Sequence, residues 1–90
     1  MAIVFFTGAP NREAYEQVSA IVESDGKPEG LIVHTATEQP DGMVRIVDVW
    51  ENQAAVDAFG QKLMSAFAQL GLAEEAAAHP PEVLQPFRTL

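Results

Sequence analysis

The sequence predicts a single α+β domain, a four-stranded antiparallel sheet covered on one face by two helices. Three observations predict it. Short β-branched and aromatic runs alternate with apolar stripes of helical spacing, in the order β-α-β-β-α-β. Gln39-Pro40-Asp41-Gly42 separates two strands that follow one another directly, which is the pattern of a tight hairpin. A length of 90 residues, 48% hydrophobic and 20% charged, suits one globular unit and no more.

The first strand is Ala2-Ile3-Val4-Phe5-Phe6-Thr7, apolar on both alternating faces and stopped by Gly8 and Pro10. Asn11 then caps a helix, with Glu13 in its first turn to complement the helix dipole. Its stripe is Ala14, Tyr15, Val18, Ile21 and Val22, and Asp25-Gly26-Lys27-Pro28 ends it. Gly30 to Glu38 reads as the second strand and Met43 to Glu51 as the third. Asn52 caps a second helix with the stripe Val56, Phe59, Leu63, Phe67 and Leu70, closed by Gly71. Ala73 to Ala78 adds a short helical turn before His79-Pro80-Pro81. The last strand is Val83 to Leu90, and Pro86, which has no N–H to donate, assigns it to a sheet edge. The order is the ferredoxin-like βαββαβ arrangement.

The hairpin fixes a register. A type I turn through Pro40-Asp41, with Gly42 in a left-handed bulge, sets Gln39 opposite Met43. Thr35 then faces Val47, His34 faces Asp48, Val33 faces Val49, and Ile32 faces Trp50. One sheet face carries Leu31, Val33, Thr35, Val47 and Val49. The other carries Ile32, His34, Ala36, Ile46, Asp48 and Trp50. Both are largely apolar, and two helices can cover only one. The uncovered face, centred on Leu31, Val33, Val47 and Val49, is expected to pair with an identical subunit, because monomers rarely expose so large an apolar patch.

Charge and composition exclude several function classes. Thirteen Asp+Glu against five Lys+Arg give a formal charge of −8, which argues against nucleic acid and anionic membranes. The longest apolar run, Ala2 to Phe6, cannot span a bilayer and does not form a signal peptide, so the expected setting is cytoplasmic. With no cysteine and two histidines, neither a disulfide framework nor a metal site is expected. No dinucleotide, phosphate-loop or nucleophile-elbow motif occurs.

The run Val47-Asp48-Val49-Trp50-Glu51-Asn52-Gln53-Ala54-Ala55, leading from the third strand into the second helix, resembles the dimeric α+β barrel superfamily. Gly30-Leu31-Ile32-Val33-His34 and the stretch from Asp41 to Asn52 are most similar to its small bacterial members. That superfamily includes antibiotic-biosynthesis-type and haem-degrading monooxygenases. The resemblance implies two sheets stacked into a barrel, helices outside, and a ligand pocket between helices and sheet lined by the Trp at the end of the third strand, here Trp50. It also exposes departures. Haem-degrading members carry a haem-ligating His nine or ten residues after that Trp, where this chain has Phe59 and Gly60. Their Asn on the first strand corresponds to Thr7. No haem, and no other cofactor, is therefore expected.

The candidate site follows. As cross-strand neighbours, Asp48 orients the His34 imidazole and leaves its other nitrogen for a ligand or for proton transfer. Trp50 and Phe59 offer flat apolar walls, Tyr15 a hydroxyl, and Thr7 a polar group from the first strand. Two functions fit these residues. One is a non-catalytic module or binder of a small apolar or aromatic ligand, with His34 and Asp48 merely satisfying each other. The other is a cofactor-independent monooxygenase or isomerase on a small aromatic or polyketide-like substrate, with His34 as base. His79, set against two prolines, reads as a solvated loop residue.

Overall fold

A computed structural model describes residues 2–87. The elements are β1 (Ile3–Ala9), α1 (Arg12–Val22), β2 (Leu31–Glu38), β3 (Val44–Trp50), α2 (Gln53–Gln69), α3 (Ala73–Ala78) and β4 (Glu82–Leu84). The strands form one sheet in the order β2-β3-β1-β4, with every neighbouring pair antiparallel. This is the ferredoxin-like arrangement expected from the sequence.

Local chemistry starts both long helices as predicted. The Asn11 side chain accepts a hydrogen bond from the Ala14 N–H at 2.8 Å, and Asn52 accepts from the Ala55 N–H at 2.9 Å. Each satisfies a donor that the first helical turn leaves orphaned. The hairpin turn also forms as read. Gly42 takes φ +88°, Gln39 N–H donates to Met43 O at 2.8 Å, and Gly42 N–H donates to Gln39 O at 2.9 Å. Asp41 accepts from the Met43 N–H at 3.0 Å and stiffens the corner.

The register from Val33↔Val49 to Glu38↔Val44 matches the expectation, with His34 opposite Asp48. Beyond Val33 it does not. Leu31, not Ile32, lies opposite Trp50, because an irregularity between Leu31 and Val33 absorbs one residue. The cause lies at Gly30. Its carbonyl accepts the Glu51 N–H at 2.8 Å, and its φ is +85°. Tied to the entry of α2, the chain must fit one extra residue before the regular ladder begins. Leu31 consequently packs against the helix-side core rather than joining Val33 on the open face, while Ile32 is left 48% exposed.

Element limits differ modestly. β1 runs on through Gly8 to Ala9, and α1 stops at Val22. The last strand is shorter than expected. β4 covers only Glu82–Leu84, at the sheet edge beside β1, and residues 88–90 of the expected strand lie outside the described residues.

Alternation divides the sheet cleanly. Ile3, Phe5, Val44, Ile46, Asp48 and Trp50 are buried beneath the helices. The main core joins Ile3, Phe5 and Trp50 to Val18 and Val22 of α1 and to Val56, Leu63 and Ala66 of α2. A smaller cluster, Ala9, Val44 and Ile46, packs against Tyr15. The opposite face carries Val4, Phe6, Val47 and Val49, all half-buried, with Val33 and Leu84 47% and 45% exposed.

Gly30 is the position where a side chain is least tolerable. A Cβ there would stand 2.6 Å from the Ala55 Cβ, and the residue would be held at φ +85°. Gly30→Ala is expected to destabilise the fold by about 2 kcal/mol or more, combining left-handed strain with the clash. Adding Ala55→Gly should recover part of that loss. Urea unfolding of the single and double variants measures both.

Candidate functional site

The ladder between β2 and β3 places His34 beside Asp48, and α1 lays Tyr15 across them. His34 Nδ1 lies 2.6 Å from Asp48 Oδ1, and Tyr15 Oη lies 2.6 Å from His34 Nε2. A carboxylate only accepts hydrogen bonds, so Asp48 assigns the imidazole proton to Nδ1. Nε2 is then an acceptor, and the Tyr15 hydroxyl donates to it. The two rings are 11° from parallel with centroids 6.0 Å apart. The expectation that the second imidazole nitrogen stays free is corrected: Tyr15 occupies it.

Burial differs along this chain of bonds. The Asp48 side chain is 2% exposed, that of His34 34%, and Tyr15 is half-buried. Burial raises the Asp48 carboxyl above its ordinary value of 3.8, since the low-dielectric interior disfavours the charge. The hydrogen bond and charge of His34 pull it back down without cancelling that effect. The indole N–H of Trp50 also lowers it, while the like charge of Glu23 nudges it upward. Trp50 does not reach hydrogen-bond geometry with the carboxylate. Its Nε1 is buried with no partner among the described residues, a situation that ordinarily costs about 1–3 kcal/mol.

The bonded chain borders a cavity of about 390 Å³ between α1, α2 and the sheet. All six residues singled out from the sequence line it: Thr7, Tyr15, His34, Asp48, Trp50 and Phe59. Phe59 packs on Trp50 at a centroid distance of 4.7 Å and meets Phe5 edge-on at 6.2 Å. Leu31, Leu63 and Phe67 complete the apolar wall, and Gly26, Lys27 and Pro28 form part of the rim. Thr7 enters from β1 opposite Ile46. Sequence reasoning missed the rim, because the loop after α1 carries no motif. It also missed Leu31, whose strand parity the irregularity reverses. A wider groove of about 1220 Å³ runs between β4, β1, α2 and α3, away from His34 and Asp48.

His79 ends α3, with Nε2 3.8 Å from Glu75 Oε1, and its side chain is 62% exposed. Among the described residues, no group of three or more His, Cys, Asp and Glu side chains could hold a metal ion. No described helix is long and apolar enough to cross a membrane.

The chain's likeness to known proteins lies in its fold. No protein-family model matches the chain, and no curated protein matches it. Solved structures do. Rv0793 of Mycobacterium tuberculosis superposes with a TM-score of 0.67 at 18% identity, covering 98% of this chain and 96% of that one. A conserved protein of Methanosarcina mazei gives 0.65 at 14% identity, covering 94% and 92%. An antibiotic-biosynthesis-monooxygenase-like protein of Deinococcus radiodurans gives 0.56 at 14% identity, covering 100% and 96%. At these identities the likeness establishes the ferredoxin-like architecture. The site rests on this chain's own residues.

Removing the imidazole isolates the perturbed carboxyl. His34→Gln takes away both of the influences by which His34 lowers the Asp48 value, so the carboxyl should titrate still higher than in wild type. Because the folded value is raised, Asp48 contributes stability fully present below its unfolded value near 3.8 and lost as pH climbs through the folded one. Carbon NMR of the labelled Asp48 carboxyl, in wild type and His34→Gln, reads the direction. Urea melts from mildly acidic to neutral pH should show the variant losing stability over the higher window.

Proposed function

We propose that this protein is a homodimeric barrel that binds a small, largely apolar aromatic ligand between its helices and its sheet. One observation carries this reading. A cavity of about 390 Å³ falls in the range of small-molecule sites, is walled by Trp50, Phe59, Leu63 and Phe67, and is bordered by the hydrogen-bonded chain of Tyr15, His34 and Asp48. Those walls stabilise a flat ring by burial, and the polar chain orients one oxygen on it. A module filled by its own side chains would leave no such room.

The dimer follows from the open face. Val4, Phe6, Val33, Val47, Val49 and Leu84 form an apolar surface that no helix covers. A second copy of the sheet stacked on it supplies burial at about 25 cal/mol per Å², useful to a chain this short without disulfides. Leu31 is not part of this interface, because it faces the core. Light scattering should return twice the 9.7 kDa subunit mass at micromolar concentration. Val47→Asp places an unpaired charge in the contact and should yield monomer or unfolded chain. A wild-type mass of one subunit would refute the dimer.

A second reading is favoured by the two 2.6 Å bonds in series. They suit a cofactor-independent monooxygenase or isomerase acting on an aromatic or polyketide-like substrate, with His34 in the role of base. The monooxygenase-like neighbours in the same fold support it without carrying it.

Ligand binding is testable directly. Isothermal titration calorimetry with 2-naphthol should give saturable binding. Leu63→Trp fills the cavity and should weaken it at least tenfold, about 1.4 kcal/mol, with the far-UV spectrum confirming that the fold persists. Heat that is unchanged by Leu63→Trp would place the ligand elsewhere.

A further inference from the structure

We infer that Tyr15, rather than His34, is the residue that exchanges a proton with a ligand in the cavity, and that His34 and Asp48 act behind it as positioning residues. This rests on the second reading above and changes which atom does the chemistry.

Both imidazole nitrogens are taken. Nδ1 is held by Asp48 and Nε2 by Tyr15, each at 2.6 Å. Neither remains available to a ligand. The Tyr15 oxygen is different. It donates its hydrogen to Nε2 and keeps lone pairs to accept another, and Tyr15 borders the same cavity as Trp50 and Phe59. A nucleophile or base bonded to an imidazole, which is in turn oriented by a carboxylate, is the general arrangement by which a weakly basic hydroxyl becomes reactive. Here the hydroxyl is a phenol.

The proton arithmetic closes without any further reactant. As an acidic C–H or O–H bond of the ligand breaks, its proton passes to Tyr15 Oη while the original Oη proton moves to His34 Nε2. The electron pair of the broken bond stays on the ligand and spreads through its conjugated system. His34, now an imidazolium, is stabilised by the Asp48 carboxylate, which is almost wholly buried and therefore acts with little screening. Reversing the transfer returns a proton to a different atom of the ligand, which is a tautomerisation. The ligand class that fits is a fused bicyclic ketone with an enolisable carbon next to an aromatic ring. Its ring lies against Trp50 and Phe59, and its acidic position reaches Tyr15.

The sequence makes the experiment clean, since the chain holds one tyrosine and one tryptophan. The probe is 2-tetralone in deuterated buffer, with α-proton exchange followed by NMR and 2-naphthol binding measured in parallel on the same preparations. Wild type should accelerate exchange over buffer. Tyr15→Phe keeps the ring and the cavity wall, and should lose that acceleration about a hundredfold or more, while 2-naphthol binding stays saturable and weakens by about tenfold at most for the lost hydroxyl contact. The Cζ resonance of the single labelled tyrosine should shift in His34→Gln, a change that a merely space-filling imidazole would not produce. Equal exchange in wild type and Tyr15→Phe, with binding intact, overturns the inference and leaves the binding reading standing. Loss of exchange in His34→Gln but not in Tyr15→Phe returns the base to His34 and also overturns it. Wild-type exchange no faster than buffer overturns it as well, and absence of 2-naphthol binding overturns both.

Discussion

The turn between β2 and β3 closes around Gly42 at φ +88°, and the pairing that it sets determines what every residue of the hairpin can touch. A strand has a side-chain period of two, so a slip of one residue would turn His34 away from Asp48 and send the apolar set to the wrong face. Asp41 and the two backbone bonds of the turn hold the register from the outer end. At the inner end, the bond from Glu51 to Gly30 ties the same hairpin to the start of α2. The site is thus clamped between a turn and a helix entry, and its rigidity belongs to the sheet, not to a loop.

Within that clamp, Asp48 is the costly residue. Few carboxylates are 1% exposed without several partners, and this one accepts one side-chain hydrogen bond, from His34. Its raised pKa is the residue of an incomplete compensation: burial pushes up more than the imidazole pulls down. Trp50 adds a second imbalance on the same side, a buried N–H close to the carboxylate but not bonded to it. Neighbouring polar groups left partly satisfied in a low-dielectric wall destabilise a fold, and they are commonest where a ligand completes them. The chain of bonds also has a direction, from the buried carboxylate of Asp48 through His34 to the hydroxyl of Tyr15, a residue that borders the cavity.

The two sheet faces divide the labour. Beneath the helices, aromatic and aliphatic side chains make a core that stops short of filling its space. The small cluster around Tyr15 and the main core around Trp50 are separate, and the cavity borders both. On the other face, apolar residues from all four strands lie uncovered. The same sheet thus walls a cavity on one side and leaves an apolar surface open on the other.

Local signals in the sequence were sufficient for the element order, the Asn11 and Asn52 caps, the hairpin turn and the opposition of His34 and Asp48. These depend on residues close in sequence: caps, turn residues, and the alternation that a turn propagates along two strands. Three matters depended on contacts between distant segments. The reversal of Leu31 came from Gly30 meeting Glu51 and Ala55 across the fold. The occupation of His34 Nε2 came from where α1 lies on the sheet, which a helical stripe containing Tyr15 does not specify. The cavity exists because α1 and α2 sit on the sheet without closing over it, and packing between elements, unlike pairing within a hairpin, has no short-range code.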